Sequence, residues 1–162
     1  MASETRVREA TVGDAAALHM LAVDLADALS DRRPAVEAVR ERLAELLEEP
    51  RARVIVAEDS EAGVVVGAAT AWVKPDLAHG DRVVEVPMLV VSSGARRRGV
   101  GRLLVEEIRS IAFAQNAALI ELVATSDNAV AREFYRSLGF VETDHVALEF
   151  VGDTDDPPGP EG

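Results

Sequence analysis

Four arginines, Arg96, Arg97, Arg98 and Arg102, stand within seven residues, with Gly99 and Gly101 interleaved among them. Guanidinium groups bring formal positive charge, and glycines let a backbone approach a ligand closely. Where such a loop opens a helix, unpaired N–H groups and the helix dipole add partial positive charge. The chemistry this arrangement suits is anion binding, with phosphate as the natural ligand. The setting makes it conspicuous: residues 92–102 hold four bases and no acid, in a chain of 17 Lys+Arg against 29 Asp+Glu and net charge −12.

The flanking sequence supplies a scaffold for that loop. Residues 83–91 read as a strand, and Val100, Leu103, Leu104, Ile108 and Ile111 form the apolar stripe of a helix. Upstream, Val7 and Arg8 open a short strand. Leu18, Leu21, Ala22, Leu25 and Leu29 fall at helical spacing, with Thr11 or Asp14 as N-cap. Pro34 suits the first turn of a second helix with Val36, Val39, Leu43, Leu46 and Leu47 on one side, ended by Pro50. Residues 54–57 and 64–73 are β-branched runs that join residues 83–91 in an antiparallel meander, and Gly67 marks a bulge or a close approach. Residues 118–124 read as a strand covered on both faces. A helix from Asn128 to Leu138, stopped by Gly139, and a strand over 145–151 complete the order β-α-α-β-β-β-α-β-α-β. The expected class is α/β, with one central mixed, mostly antiparallel sheet and flanking helices. Residues 1–151 are expected to form one domain, and 152–162, with four acids, prolines and glycines, a disordered tail.

Composition narrows the function. The chain has no cysteine, hence no disulfide or thiolate metal site. Its charge argues against general binding to nucleic acid or anionic membranes. No apolar stretch reaches the ~20 residues of a membrane helix, and no secretory signal is visible, so the expected location is cytoplasmic. Among phosphate binders, a P-loop lacks its Gly-x-x-x-x-Gly-Lys-Ser/Thr. A dinucleotide fingerprint, the mark of an NAD(P)-binding oxidoreductase, is the better match and is disfavoured: Leu104 stands at the third glycine position, Glu121 sits inside its strand, and the preceding strand belongs to an antiparallel meander.

Acyl-CoA remains. Arg96-x-x-Gly99-x-Gly101 resembles the Gln/Arg-x-x-Gly-x-Gly/Ala signature of the Gcn5-related N-acetyltransferase (GNAT) superfamily. Leu89-x-Val91 resembles the end of that family's fourth strand. Asn128-x-x-Ala131-x-x-Phe134-Tyr135-x-x-x-Gly139-Phe140 is similar to the segment after its fifth strand. The element order over residues 6–151 fits as well. The resemblance implies the GNAT fold and acetyl transfer from acetyl-CoA, without a metal, to a primary amine, a small molecule in preference to a protein. The alternative it admits is a non-catalytic acyl-CoA sensor. Family members are often dimers, so a homodimer is compatible with it.

The resemblance also implies residue roles. Arg96, Arg97, Arg98, Gly99, Val100, Gly101 and Arg102 hold the pyrophosphate. Leu89 and Val91 meet the pantetheine arm through backbone groups, in the gap where the fourth and fifth strands splay. Asn128 hydrogen-bonds the pantetheine or serves as a helix N-cap. Tyr135, the only tyrosine, gives a proton to the leaving thiolate. Glu85 is the candidate general base, since an alkylamine is mostly protonated at neutral pH. Strand alternation puts Glu85, Pro87 and Leu89 on one face and Val86, Met88 and Val90 on the other, while Pro87 signals a bulge or edge. Asp24, Asp27, Asp31, Asp76 and Asp81 lie on the segments that shape the acceptor side and would attract a cationic amine. His79 reads as a solvated loop histidine.

Overall fold

Residues 54–57 alternate their side chains between two hydrophobic layers, and this alternation organises the sheet. Ile55 and Ala57 enter one layer, Val54 and Val56 the other. The structure is a computed structural model and describes residues 4–150. The acidic tail expected at 152–162, and Val151, lie outside the described residues. The chain divides into two compact units, one ending at Val123 and the other beginning at Ala124.

The first unit contains β1 (Thr5–Glu9), α1 (Ala15–Ala28), α2 (Val36–Glu48), β2 (Ala52–Asp59), β3 (Val64–Asp76), β4 (Asp81–Val91), α3 (Val100–Ala114) and β5 (Ala117–Leu122). Sheet order is β1-β2-β3-β4-β5. The first four strands pair antiparallel and β5 runs parallel to β4. This is the α/β class with a mixed, mostly antiparallel sheet that the pattern predicts. Helix α3 lays Val100, Leu104, Ile108 and Ala112 against Ile55, Ala69 and Val84 on one face. Leu18 and Leu21 of α1 and Leu43 of α2 cover Val54, Val56 and Ala68 on the other. Leu104 is fully buried, a side chain whose removal from water contributes ~1.5–3 kcal/mol.

Gly67 combines both roles expected of it. The β2–β3 register shifts after Ala57, which faces Gly67. A Cβ at Gly67 would lie 2.9 Å from Val100 Cγ1 and 3.1 Å from Val90 O. The missing side chain is what lets the start of α3 sit on β3.

Several elements differ from expectation. Pro34 precedes α2 rather than joining it; its carbonyl accepts a hydrogen bond from His19 Nε2 at 3.0 Å. Asp14 serves Arg8 instead of capping α1 through its side chain: Arg8 Nη1 and Nη2 donate to its two oxygens at 2.9 and 3.0 Å, and Thr11 N–H donates at 2.8 Å. Strand β5 is one-sided within its unit. Ile120 and Leu122 pack toward α3, while Leu119 and Glu121 are exposed, because an edge strand with one helix on it has one covered face.

The second unit contains α4 (Ala129–Ser137), as predicted, with Asn128 as N-cap. The strand expected from His145 is not formed over residues 145–150. Val146, Leu148 and Phe150 alternate as a strand would, but all are exposed. A strand needs a ladder partner, and this unit has no strand among its described residues.

Candidate functional site

The arginine loop is built as an anion cradle. After the turn at Ser93–Ala95, Ala95 is buried and anchors the chain. Arg97 has φ 65° and Gly99 φ 79°, two left-handed residues flanking Arg98. Such a conformation costs Arg97 of order 1 kcal/mol. Gly99 is the N-cap of α3, and the first helical bond runs from Leu103 N–H to Gly99 O at 3.1 Å. The amides of Val100, Gly101 and Arg102 therefore precede the helical ladder and point out of the helix end. The Val100 side chain is core, so its contribution to a ligand is main-chain.

The charges agree with the backbone. Arg96, Arg97 and Arg102 have no ion pair among the described residues, and neither have Arg51 and Arg82, which lie apart from each other in sequence, whereas Arg8, Arg33, Arg40, Arg42, Arg53, Arg132 and Arg136 each face a carboxylate. In so acidic a chain, three uncompensated guanidiniums around one helix start are what a polyanion needs. Arg98 is the exception: its Nη2 donates to Asp59 Oδ2 at 3.3 Å. The Asp59 carboxyl is held below the usual carboxylate range by the Ala62 amide, then by the Arg98 guanidinium and the Glu61 amide.

Beside the loop, β4 and β5 separate. Their pairing spans only Arg82 to Val86 on β4, which continues to Val91 with no strand on that side. Ser92 N–H donates to Val66 O at 2.8 Å. By antiparallel alternation, the main-chain groups of Leu89 and Val91 then face away from β3, into the opening. Their side chains pack on the α3 layer.

Glu85 sits elsewhere than simple alternation predicts. Thr70 faces Met88 and Trp72 faces Glu85, so β4 has one residue more than β3 over this stretch, at Pro87. The bulge reverses the facing. Val84, Val86, Leu89 and Val91 belong to the α3 layer, and Met88 and Val90 to the α1/α2 layer. Glu85, between Val84 and Val86, shares the α1/α2 side of the sheet with Met88 and Val90 and is opposite Leu89. It is half-exposed, and Lys74 Nζ donates to its Oε2 at 2.8 Å.

In the second unit, Asn128 Oδ1 accepts from Ala131 N–H at 3.1 Å, so the capping role is filled while its amide nitrogen is left for another acceptor. Tyr135 lies between Phe134 and Phe140, edge-on to both at centroid distances of 5.2 and 5.7 Å. Burial pushes its phenol above the ordinary value, and its Oη makes no hydrogen bond among the described residues. Glu142, absent from the sequence-based reading, takes two bonds from Arg132 at 2.8 Å and one from Arg136 at 2.9 Å. Those bonds, Arg132 first, hold its carboxyl down to about 2. The pair closes the chain after α4 back onto that helix.

The acidic residues of the acceptor segments are partly spoken for. Arg33 bridges Asp27 at 2.7 and 2.8 Å. His79 bonds Asp76, which raises the imidazole above its ordinary value, with weaker help from Glu121 and Asp81, so His79 is partnered rather than merely solvated. Among the described residues no three metal-ligating side chains come together, and no helix is long and apolar enough to cross a membrane.

The Acetyltransferase (GNAT) family matches residues 16–140, and the chain belongs to it. A mycothiol acetyltransferase of Beutenbergia cavernae is 32% identical over 106 residues, 65% of this chain; the match spans 33% of that relative's length. Among solved structures, a transcriptional regulator from Bacillus halodurans C-125 is 25% identical with a TM-score of 0.79, over 91% of this chain and 99% of that one. An aminoglycoside N-acetyltransferase in complex with CoA is 20% identical with a TM-score of 0.80, over 93% and 96%, and shares the fold.

Proposed function

We propose that the chain is an acetyl-CoA-dependent N-acetyltransferase acting on an amine acceptor, with residues 1–151 as one catalytic domain. The observation that carries it is the cradle at residues 96–102: left-handed backbone, three free helix-start amides and three unpaired arginines, beside the unpaired end of β4. Family membership and the CoA-bound neighbour support it. When bound, acetyl-CoA supplies a thioester carbonyl for attack by the amine. The arginines and amides of the loop bind the pyrophosphate. Leu89 and Val91 offer main-chain groups to the pantetheine, and Asn128 offers its side-chain amide. Tyr135 holds a proton on Oη, which its raised value keeps in place at neutral pH, for the thiolate that leaves. Glu85 takes the amine's proton, directly or through water.

The acceptor is a small amine, with Asp24, Asp31 and Asp81 available to a cationic one. A second reading, coenzyme binding without turnover, draws on the transcriptional regulator among the fold neighbours. Free-thiol release from acetyl-CoA, followed across a panel of amines, separates the two. Amine-dependent release supports transfer. Acetyl-CoA binding with no amine-dependent release favours the sensor, and no binding of CoA or acetyl-CoA overturns both.

A further inference from the structure

The Asp59–Arg98 pair is placed where it can set the shape of the phosphate loop. Asp59 ends β2, and it and Asp14 are the buried charged residues among those described. Its Oδ1 accepts from the Glu61 and Ala62 amides at 3.1 and 3.2 Å, and its carbonyl accepts from Gly63 N–H at 2.7 Å. The carboxylate is thus fixed by the β2–β3 turn before it meets Arg98. On the other side, residues 96–98 form a turn, and among the described residues no main-chain hydrogen bond ties them to β2 or β3. The Arg98 side chain, between left-handed Arg97 and Gly99, is their one polar tie to the body of the unit.

We propose that Asp59 is a positioning residue for the coenzyme: it clasps Arg98 and so holds residues 96–99 in the conformation that aims their amides at phosphate. The proposal rests on the functional reading above. It also runs against the simple field. Asp59 is an anion close to an anion site, so if it acted by charge alone, neutralising it would tighten CoA binding. If it acts as a clasp, neutralising it weakens binding. Asparagine is nearly isosteric and keeps the oxygen that serves the two turn amides, so Asp59→Asn removes the clasp and spares the turn.

Two measurements test this on the full chain. The first needs no coenzyme. Residues 96–98 are three tryptic sites, and cleavage there reports how often the loop opens. In Asp59→Asn, and equally in Arg98→Gln for the cuts after Arg96 and Arg97 that both variants keep, the loop is cut about tenfold faster than in the wild type, while melting shows both variants folded at the assay temperature. The second is affinity. Asp59→Asn binds CoA about tenfold more weakly, with kcat at saturating acetyl-CoA within about twofold, and its rate with S-acetylpantetheine, which lacks the pyrophosphate, is unchanged. The double variant is no worse than Arg98→Gln alone. Cleavage at the wild-type rate overturns the clasp, as does CoA binding as tight as or tighter than wild type, or an equal loss with the truncated donor. Failure of the wild type to bind CoA overturns the functional reading, and the tryptic rates still decide the clasp.

Discussion

Lys74 and Glu85 face each other across β3 and β4, Nζ 2.8 Å from Oε2, both half-exposed. The pair is a diagonal one on a single face of the sheet, since Trp72, two residues before Lys74, is the cross-strand partner of Glu85. An exposed pair of this kind adds little to stability, about 0–1 kcal/mol. Glu85→Gln is therefore expected to leave the melting temperature within a degree or two. With Glu85 as the proposed general base, its loss is expected to lower kcat about 100-fold and to leave CoA affinity unchanged. A wild-type kcat in Glu85→Gln removes Glu85 from the reaction.

Tyr135 tests the acid. Tyr135→Phe keeps the ring and its two edge-on neighbours. It is expected to lower kcat about 100-fold with CoA affinity within twofold. The donating form is the protonated one, and its folded value lies above the ordinary phenol value. Activity that depends on it is full at neutral pH and falls only as pH rises through that raised value. An alkaline limb near pH 8 belongs to another group, and its persistence in Tyr135→Phe shows as much.

Asp14 governs acid stability. Its carboxyl is held below its ordinary value, chiefly by the two bonds from Arg8. A depressed value means a contribution that is complete above the unfolded pKa, about 4, and is lost as pH falls through the folded value. Asp14→Ala is expected to cost about 2 kcal/mol at pH 7, the scale of hydrogen bonds to a charged group left unmade. The gap between urea melts of the two proteins should shrink as pH falls below about 4 and through the lowered value. A gap that stays constant over that range is incompatible with the ion pair as its source.

Gly67→Ala forces one methyl into the space between Val90 O and the buried Val100 side chain. Neither neighbour has room to retreat, and overpacking of this kind costs ~1–3 kcal/mol. Because Val100 opens α3, the start of that helix shifts with it. Weaker CoA binding should accompany the lower melting point; a variant destabilised yet binding CoA normally would uncouple the two.

Local patterns made much of this legible. The helical stripe of α3, the meander of β2 to β4, the cap at Asn128 and the strand–loop–helix context of the arginines all rest on residues near one another in sequence. What escaped depends on partners far apart. Asp59 and Arg98 are 39 residues apart, Lys74 and Glu85 are 11, and Arg132 and Glu142 are 10. Nothing in the periodicity of any one segment marks these as pairs. The facing of Glu85 departs from simple alternation for a related reason: Pro87 signals an irregularity, but only the register against β3 shows that an extra residue sits there. The alternation over 145–150 was a correct strand pattern, yet a pattern supplies no partner.

The bulge at Pro87 leaves β4 with two alternations out of step by one residue. An odd number marks a solvent-facing ion-pair position at Glu85 and a core-packing position at Leu89 and Val91. Parity is thus a local coordinate on this strand, valid on either side of residue 87 but not across it. A substitution scan that sorts β4 by odd and even positions would pool the residue offered as proton acceptor with the residues whose backbones are offered to the coenzyme. Sorted by half-strand instead, the two groups separate.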